Sequence, residues 1–431
     1  MTTTREIRGK AAALRAALGT DDPLRAPYRK PLAPWVRKRR TSTPTGFGGP
    51  SQSTNRDVLV TIFLRGGIDG LTTVAPYGDG DYYNLRPNLG IQPPGQQDGA
   101  VDLDGFFGLP PAAAPLMTPY NDNRLLIVHA TGSTDPSRSH FDAMHFMETA
   151  TPEQPGYESS GWVARHLQTV APLGAGDLRG IGLDELPPRM LAEAPKTLPI
   201  ADPAVFAFPG NPATEPGRRQ TMENMYAKAR EPYVTFGGST FSSMTLLDGI
   251  DFVGYVPENG AQYSTNPFHV QLMRTATLIK ANAGVESIHI DLGGWDHHEN
   301  QGPISGIYAN MIANFASGIE AFYKDMLNHL ECFTLVVQSE FGRRAAENGS
   351  AGTDHGHGNV MMVLGGHISG GQVLSTWPGL DPGSLDQGED LAITLDYRDV
   401  LAEIVANRLG NRTNLPYIFP NYTPSYPGFT F

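Results

Sequence analysis

Cysteine is almost missing from this 431-residue chain. Cys332 stands alone, which excludes an intramolecular disulfide framework and a cysteine-based zinc site. Long apolar runs are missing too. The longest, Val58 to Leu64, has only a strand's length and falls far short of the ~18–20 residues that a membrane span needs. Charged residues are sparse at 18%, while hydrophobic residues reach 40%, a balance that excludes a wholly disordered chain. No repeat recurs at the periods of solenoid proteins. Glycine (49) and proline (36) are, by contrast, abundant, together about a fifth of the chain against the usual ~12%. The composition describes a globular protein with many long loops.

The net charge of −12 is unevenly divided. Residues 1–40 carry 11 of the 32 basic residues and 3 of the 44 acidic ones, which leaves the remainder at −20. A body that acidic is a poor nucleic-acid binder, because neutralising phosphates takes clustered Lys and Arg. Arg37-Lys38-Arg39-Arg40 is followed by a Ser/Thr/Gly/Pro-rich stretch and not by an apolar segment, so no cleavable export signal is read and the expectation is a cytoplasmic protein. Residues 5–18 have the pattern of a short basic helix, with Ile7, Ala11, Leu14 and Leu18 on one stripe and Arg5, Arg8 and Arg15 opposite. Such an arm either contacts a partner or membrane surface or packs on its own acidic body. Residues 1–56 are therefore taken as arm and linker, and 57–431 as the folded domain.

Within that domain, short β-branched runs over residues 57–64, 124–130, 285–292, 332–338 and 359–364 read as strands. Their near-continuous apolar character points to burial on both faces, as in a parallel sheet covered by helices. Helical patterns over 268–283, 304–330 and 397–409 alternate with them, which argues for a three-layer α/β/α sandwich. Residues 171–262 lack long periodic runs and read as a largely irregular insertion or cap. Cys332, at the head of an apolar run, is expected in the core.

In open α/β sheets the ligand site lies at the carboxyl ends of the strands. The first strand leads into Arg65-Gly66-Gly67-Ile68-Asp69, the second into Thr134-Asp135-Pro136-Ser137-Arg138-Ser139-His140, and the third into Trp295-Asp296-His297-His298. The fourth leads into Ser339-Glu340-Phe341-Gly342-Arg343, and Thr353-Asp354-His355-Gly356-His357 follows. Four of the twelve histidines fall within 291–301 and 350–358, each close to an Asp. Carboxylates and imidazoles without thiolates suit Zn²⁺, Mn²⁺ or another borderline divalent ion; the competing reading is a hydrogen-bonded loop network. Arg65 beside Gly66-Gly67 offers a cation and free backbone N–H groups to an oxyanion. Asp69 either ligates a metal or caps the following turn. Arg138 between Ser137 and Ser139 joins an anion clamp to a hydroxyl nucleophile, and the same residues suit a helix start with Ser139 as N-cap and Asp142 in the first turn. A divalent pair in such a site would activate a hydroxyl or water and stabilise charge on a transferring phosphoryl or sulfuryl group.

The segments LRGGIDGLTTVAPYGDGDYYNLRP (64–87), SRSHFDAMHFMETA (137–150), GGWDHHENQ (293–301), SEFGRRAAENGSAGTDHGHGNVMMVLGG (339–366) and LDYRDVLAEIV (395–405) together resemble the bacterial domain of unknown function 1501 family over nearly all of residues 57–410. That family looks like a member of the alkaline phosphatase and sulfatase superfamily, and the resemblance implies an α/β/α sandwich with metals at the strand ends. Carried over, the pattern makes Asp69, Asp296 and His298 metal ligands, with His297 competing. Glu340 takes the position of a ligand Asp, and Phe341 stands where a ligand His is usual. The displaced Asp354 and His355 would supply the missing donors. Thr134 resembles the sulfatase nucleophile position, with Ser137 and Ser139 as alternatives and His140 as ligand or acid. No Cys is present there to be converted to formylglycine. The expectation is a metal-dependent hydrolase of a phosphate, sulfate or related anionic ester, holding one or two divalent ions (Zn, Mn, Mg or Ca), with Arg65 and Arg138 clamping the anion of a small-molecule substrate. The rival expectation is a non-catalytic binding or assembly protein with a degenerate metal site.

Overall fold

The computed structural model describes residues 56–152, 159–174 and 176–431. The basic arm, with the helix expected over residues 5–18, lies outside the described residues. The chain forms a mixed α/β structure around a nine-stranded sheet. Its strands are β1 (Val58–Arg65), β2 (Leu125–Gly132), β3 (Gly180–Gly182), β4 (Thr197–Pro199), β5 (Ser287–Gly293), β6 (Phe333–Gln338), β7 (Asn359–Gly365), β8 (Gln372–Leu374) and β9 (Leu395–Asp396). The order is β8-β2-β7-β6-β1-β5-β3-β4, with β9 also pairing β2.

Strand β1 sits mid-sheet, and its period of two feeds both faces. Val60, Ile62 and Leu64 join one core, and Leu59 and Phe63 join the other. The helices α1 (His140–Thr149), α2 (Trp162–Thr169), α3 (Glu215–Tyr226), α4 (Tyr233–Asp248), α5 (Pro267–Lys280), α6 (Ile307–Asp325) and α7 (Tyr397–Asn407) follow in chain order. The first face packs on α5 and α6 through Leu272, Ile312, Phe315 and Ile319. The second packs on α1, α2 and α7 through Met147, Leu167, Leu401 and Ile404. Helix starts follow local chemistry. Asn266 caps α5 by accepting from Phe268 N, with Pro267 at the first turn, and Asp396 caps α7 by accepting from Arg398 N.

Several expectations change in the structure. Strand β7 runs antiparallel to both of its neighbours, so the sheet is mixed. A continuous apolar run reports burial on two faces but not direction. Residues 339–358 contain no crossover helix, so the chain re-enters the sheet from the end at which it left. The helix expected over 304–330 is shorter, because Gly306 at φ 145° precedes its start and a 3₁₀ turn, broken at His329, follows its end. Cys332 closes that turn and is exposed, not in the core. Residues 171–262 are in part regular. They contribute β3 and β4 to the sheet edge and two helices outside it.

One buried ion pair ties the exit of β1 to the 339–358 loop. Arg86 Nη1 donates to Asp69 Oδ2 at 2.6 Å, while its Nε and Nη2 donate to the carbonyls of Ala345 and Arg344. Both side chains are almost wholly buried. Burial alone would raise the Asp69 carboxyl, but the Arg86 guanidinium outweighs it and holds the group below the usual carboxylate range. We expect Arg86→Ala to lower unfolding stability by about 3–5 kcal/mol, because it strands a buried carboxylate. The double change Arg86→Met with Asp69→Leu should recover much of the loss in urea denaturation. Equal stability of Arg86→Ala and the wild type would reject this role.

Candidate metal centre

Because β7 is antiparallel, the loop entering it lies at the same sheet end as the loops leaving β1, β2, β5 and β6. Close packing of those loops begins at two glycines after β1. Gly66 and Gly67 both have positive φ, at 123° and 64°. A Cβ on Gly66 would meet the Asp296 backbone N at 2.6 Å, and one on Gly67 would meet the Phe341 ring at 2.5 Å. Only glycine lets the β1 turn lie directly against these residues.

Asp296 is the centre of the cluster. Its Oδ1 receives Arg343 Nη2 at 2.6 Å and lies 3.0 Å from His298 Nε2 and 3.1 Å from His355 Nε2. Its Oδ2 lies 3.3 Å from His140 Nε2. Burial would raise the Asp296 carboxyl, but Arg343 and the imidazoles outweigh it and keep it ionised well below the usual range. Arg343 is fully buried. It also donates to Gly66 O, to Gly67 O at 2.6 Å and to Thr353 O at 2.9 Å.

The three imidazoles share one arrangement. Nδ1 of His140 meets Glu340 Oε1 at 2.8 Å, Nδ1 of His298 meets Asp354 Oδ1 at 2.9 Å, and Nδ1 of His355 meets the Arg138 carbonyl at 2.8 Å. Each of these partners, as a carboxylate or carbonyl, only accepts, so a proton belongs on Nδ1, and in its neutral form each ring turns an Nε2 lone pair inward. The lone pairs then converge on an anionic carboxylate and on one another, with His298 Nε2 and His355 Nε2 only 3.0 Å apart. Without a proton or cation between them, that arrangement is repulsive. His140 Nε2 is buried and has no hydrogen-bond partner among the described residues. A ligand atom from each of His140, Asp296 and His355 lies within 4.8 Å of the other two. Two imidazole nitrogens and a carboxylate oxygen, with Nδ1 held by outer partners, form a donor set that fits a borderline divalent cation such as Zn²⁺ or Mn²⁺. The Phe341 ring packs beside His140 at 4.9 Å and His355 at 4.8 Å, walling one side. The hydrogen bond to Glu340 raises the His140 pKa, whereas burial lowers that of His355.

The remaining expected residues lie differently. Glu340 is buried against His140, Gly66 N and Ser339, as a support for the ring and not beside the Asp296 carboxylate. Asp354 reaches His298 and Asn348. Asp69 binds Arg86, Gln301 and Thr72, apart from the histidines. His297 turns away to the Trp295 carbonyl. Arg65 is held by two carboxylates, Asp291 at 2.8 Å and Glu148 at 2.9 Å, and Arg138 by Asp390 at 2.5 Å, so neither presents a free guanidinium. Thr134 accepts from Arg398 at 3.4 Å and lines a neighbouring cleft of about 670 Å³. Ser137 points to Asp142, and Ser139 stands at the N-cap of α1 without a side-chain bond. Arg343 was not among the expected site residues. Its signal was present, since it directly follows Glu340-Phe341-Gly342 at a strand end.

Behind the cluster, Asp291 is bonded to His289 and Arg65. Burial would raise its pKa, yet the hydrogen bonds and charge of these two partners bring it from 3.8 down to about 2. A carboxyl lowered on folding stabilises the protein above its unfolded pKa, and that contribution is lost as pH falls through the folded value. We expect it to be worth about 2 kcal/mol near neutrality and to fade between pH ~4 and ~2. Urea titrations of wild type and Asp291→Asn should therefore converge across that acid window; parallel curves would refute the assignment.

The model of the family described as Protein of unknown function (DUF1501) matches residues 125–405. No curated protein matches the chain. Among solved structures, it is similar to the PH0037 protein of Pyrococcus horikoshii at 12% identity and a TM-score of 0.29, covering 73% of this chain and 87% of that one. It is also similar to the alkaline phosphatase of the Antarctic bacterium TAB5 at 7% identity and a TM-score of 0.27, covering 86% of this chain and 100% of that one.

Proposed function

This chain belongs to the family of proteins of unknown function 1501, and we propose that it is a metal-dependent hydrolase of a phosphate, sulfate or related anionic ester, akin to the alkaline phosphatase and sulfatase superfamily. His140, Asp296 and His355 would hold the divalent cation. The observation that carries this reading is the convergence of three Nδ1-anchored imidazoles on one carboxylate. A cation bound there supplies Lewis-acid stabilisation of charge developing on the transferring group. Zn²⁺ or Mn²⁺ suits the nitrogen-rich donors better than Mg²⁺ or Ca²⁺, which favour oxygen.

The chain's own residues have distinct tasks. Glu340 orients His140, Arg343 fixes Asp296, and Phe341 keeps water from one side of the donors. His298, backed by Asp354 and partly exposed, is positioned to move a proton at Nε2. Thr134 and Ser137 make no bond to the triad, so water is the attacking group in this reading. With Arg65 and Arg138 both neutralised by carboxylates, the charge that attracts an anionic substrate falls to the cation itself. The same neutralised arginines favour a second reading, a metal-binding protein without turnover.

Metal analysis of the chain purified without chelator should find one equivalent of Zn²⁺ or Mn²⁺. Glu340→Gln should weaken binding about 10- to 100-fold, as outer-shell substitutions do. Aryl phosphate, phosphodiester and sulfate substrates, each tried with Zn²⁺, Mn²⁺, Mg²⁺ and Ca²⁺, should reveal turnover that Asp296→Ala abolishes. Stoichiometric metal without turnover selects the second reading. Absence of stoichiometric metal overturns both.

A further inference from the structure

Half of the exposed large apolar side chains of the described residues fall between residues 186 and 256, although this stretch is only about a fifth of them. Patches of this kind mark binding surfaces more often than scattered single residues do. Two of them, Tyr233 and Phe236, line a cavity of about 920 Å³ between α3 and α4. Half of its lining residues are aromatic or methionine, among them Phe208, Met222, Tyr226, Phe236, Phe241 and Met244. Tyr226 and Phe241 meet edge to face at 5.9 Å, and Phe208 packs at 6.2 Å from Phe241. The volume lies in the range of sites that engulf a small molecule.

One cation breaks the apolar lining. Arg218 lies over the Phe208 ring at 5.2 Å and donates to Pro209 O, to Asn211 O at 2.9 Å and to Thr214 Oγ1 at 3.1 Å. All three acceptors are neutral. No carboxylate of the described residues forms an ion pair with Arg218, in contrast to Arg65, Arg138 and Arg343 around the metal centre. Three of its five N–H groups are used, which leaves two on a fork that matches a planar carboxylate. The hydroxyls of Tyr226 and Tyr233, both on the cavity wall, also have no hydrogen-bond partner among the described residues.

We propose that this cavity binds an amphiphile with a single anionic head and an aliphatic body, of the fatty-acid class. The head pairs with Arg218, and the chain lies among the aromatic and methionine side chains. A single guanidinium matches a monoanion, and flexible thioethers adapt to a chain that has no fixed shape. The site is separate from the proposed metal centre and does not depend on it.

Calorimetric titration of the full chain with octanoate, decanoate and dodecanoate below their micellar concentrations tests the proposal. One saturable site is expected, with affinity rising about fourfold per methylene. Arg218→Met should weaken dodecanoate by at least about tenfold while leaving dodecanol unchanged. Met222→Trp, checked for retained helicity, should block both by filling the cavity. No saturable binding by the wild-type chain at any chain length overturns the proposal without recourse to a variant. So does binding that Arg218→Met and folded Met222→Trp leave intact. A dimer in sedimentation that Met222→Trp dissociates would assign the surface to a second copy instead, and also overturn it.

Discussion

The buried guanidinium of Arg343 is the constraint on which the candidate metal centre rests. A charge removed from water must be paired and hydrogen-bonded, or it destabilises the fold. Arg343 meets that demand by spanning three segments distant in sequence: the β1 turn through the carbonyls of Gly66 and Gly67, the loop before β7 through Thr353, and Asp296 after β5. Its rigid fork leaves those segments little freedom relative to one another. The absence of side chains at Gly66 and Gly67 is what permits the approach. Asp296 is consequently held ionised and aimed at the histidines.

Around that anchor, opposite charges are matched in layers. Arg65 joins Asp291 and Glu148, Arg86 joins Asp69, and Arg138 joins Asp390. These pairs occupy the groups that an anion would otherwise use. The cavity between α3 and α4 has the opposite character, with a largely apolar wall and one cation that pairs with no carboxylate of the described residues. The chain thus keeps two different surfaces, one acidic and rich in imidazole, the other greasy with a lone guanidinium. The first suits a cation and the second an anion.

Much of the framework was legible in the residues. The five central strands lie within a few positions of the apolar runs, because burial on both faces leaves a local signature that needs no knowledge of neighbours. The direction of β7 was not legible, since its apolar run would look the same in either orientation. Nor was the placement of Cys332, which lies at the margin of such a run and is exposed. The two short strands β3 and β4 were hidden in a Pro/Gly-rich stretch, where three residues are too few to display a period. Among the site residues, Asp296, His298 and His355 stood out because imidazoles and carboxylates crowded two strand ends. Glu340 and Asp354 were visible as acids, but their bonds to His140 and His298 were not.

By itself, the sequence determined the sandwich class, the positions of the main strands and helices, and the sheet end at which polar groups gather. These follow from periodicity, capping and composition, which are properties of neighbouring residues. Only the tertiary structure decided that Asp69 pairs with Arg86, that the two expected anion clamps are neutralised, and that Arg343 organises the centre. Each of those outcomes joins residues brought together by the crossing of loops. A charged side chain looks the same in a sequence whether or not its partner is waiting across the fold, and the partner determines whether the charge is free to act.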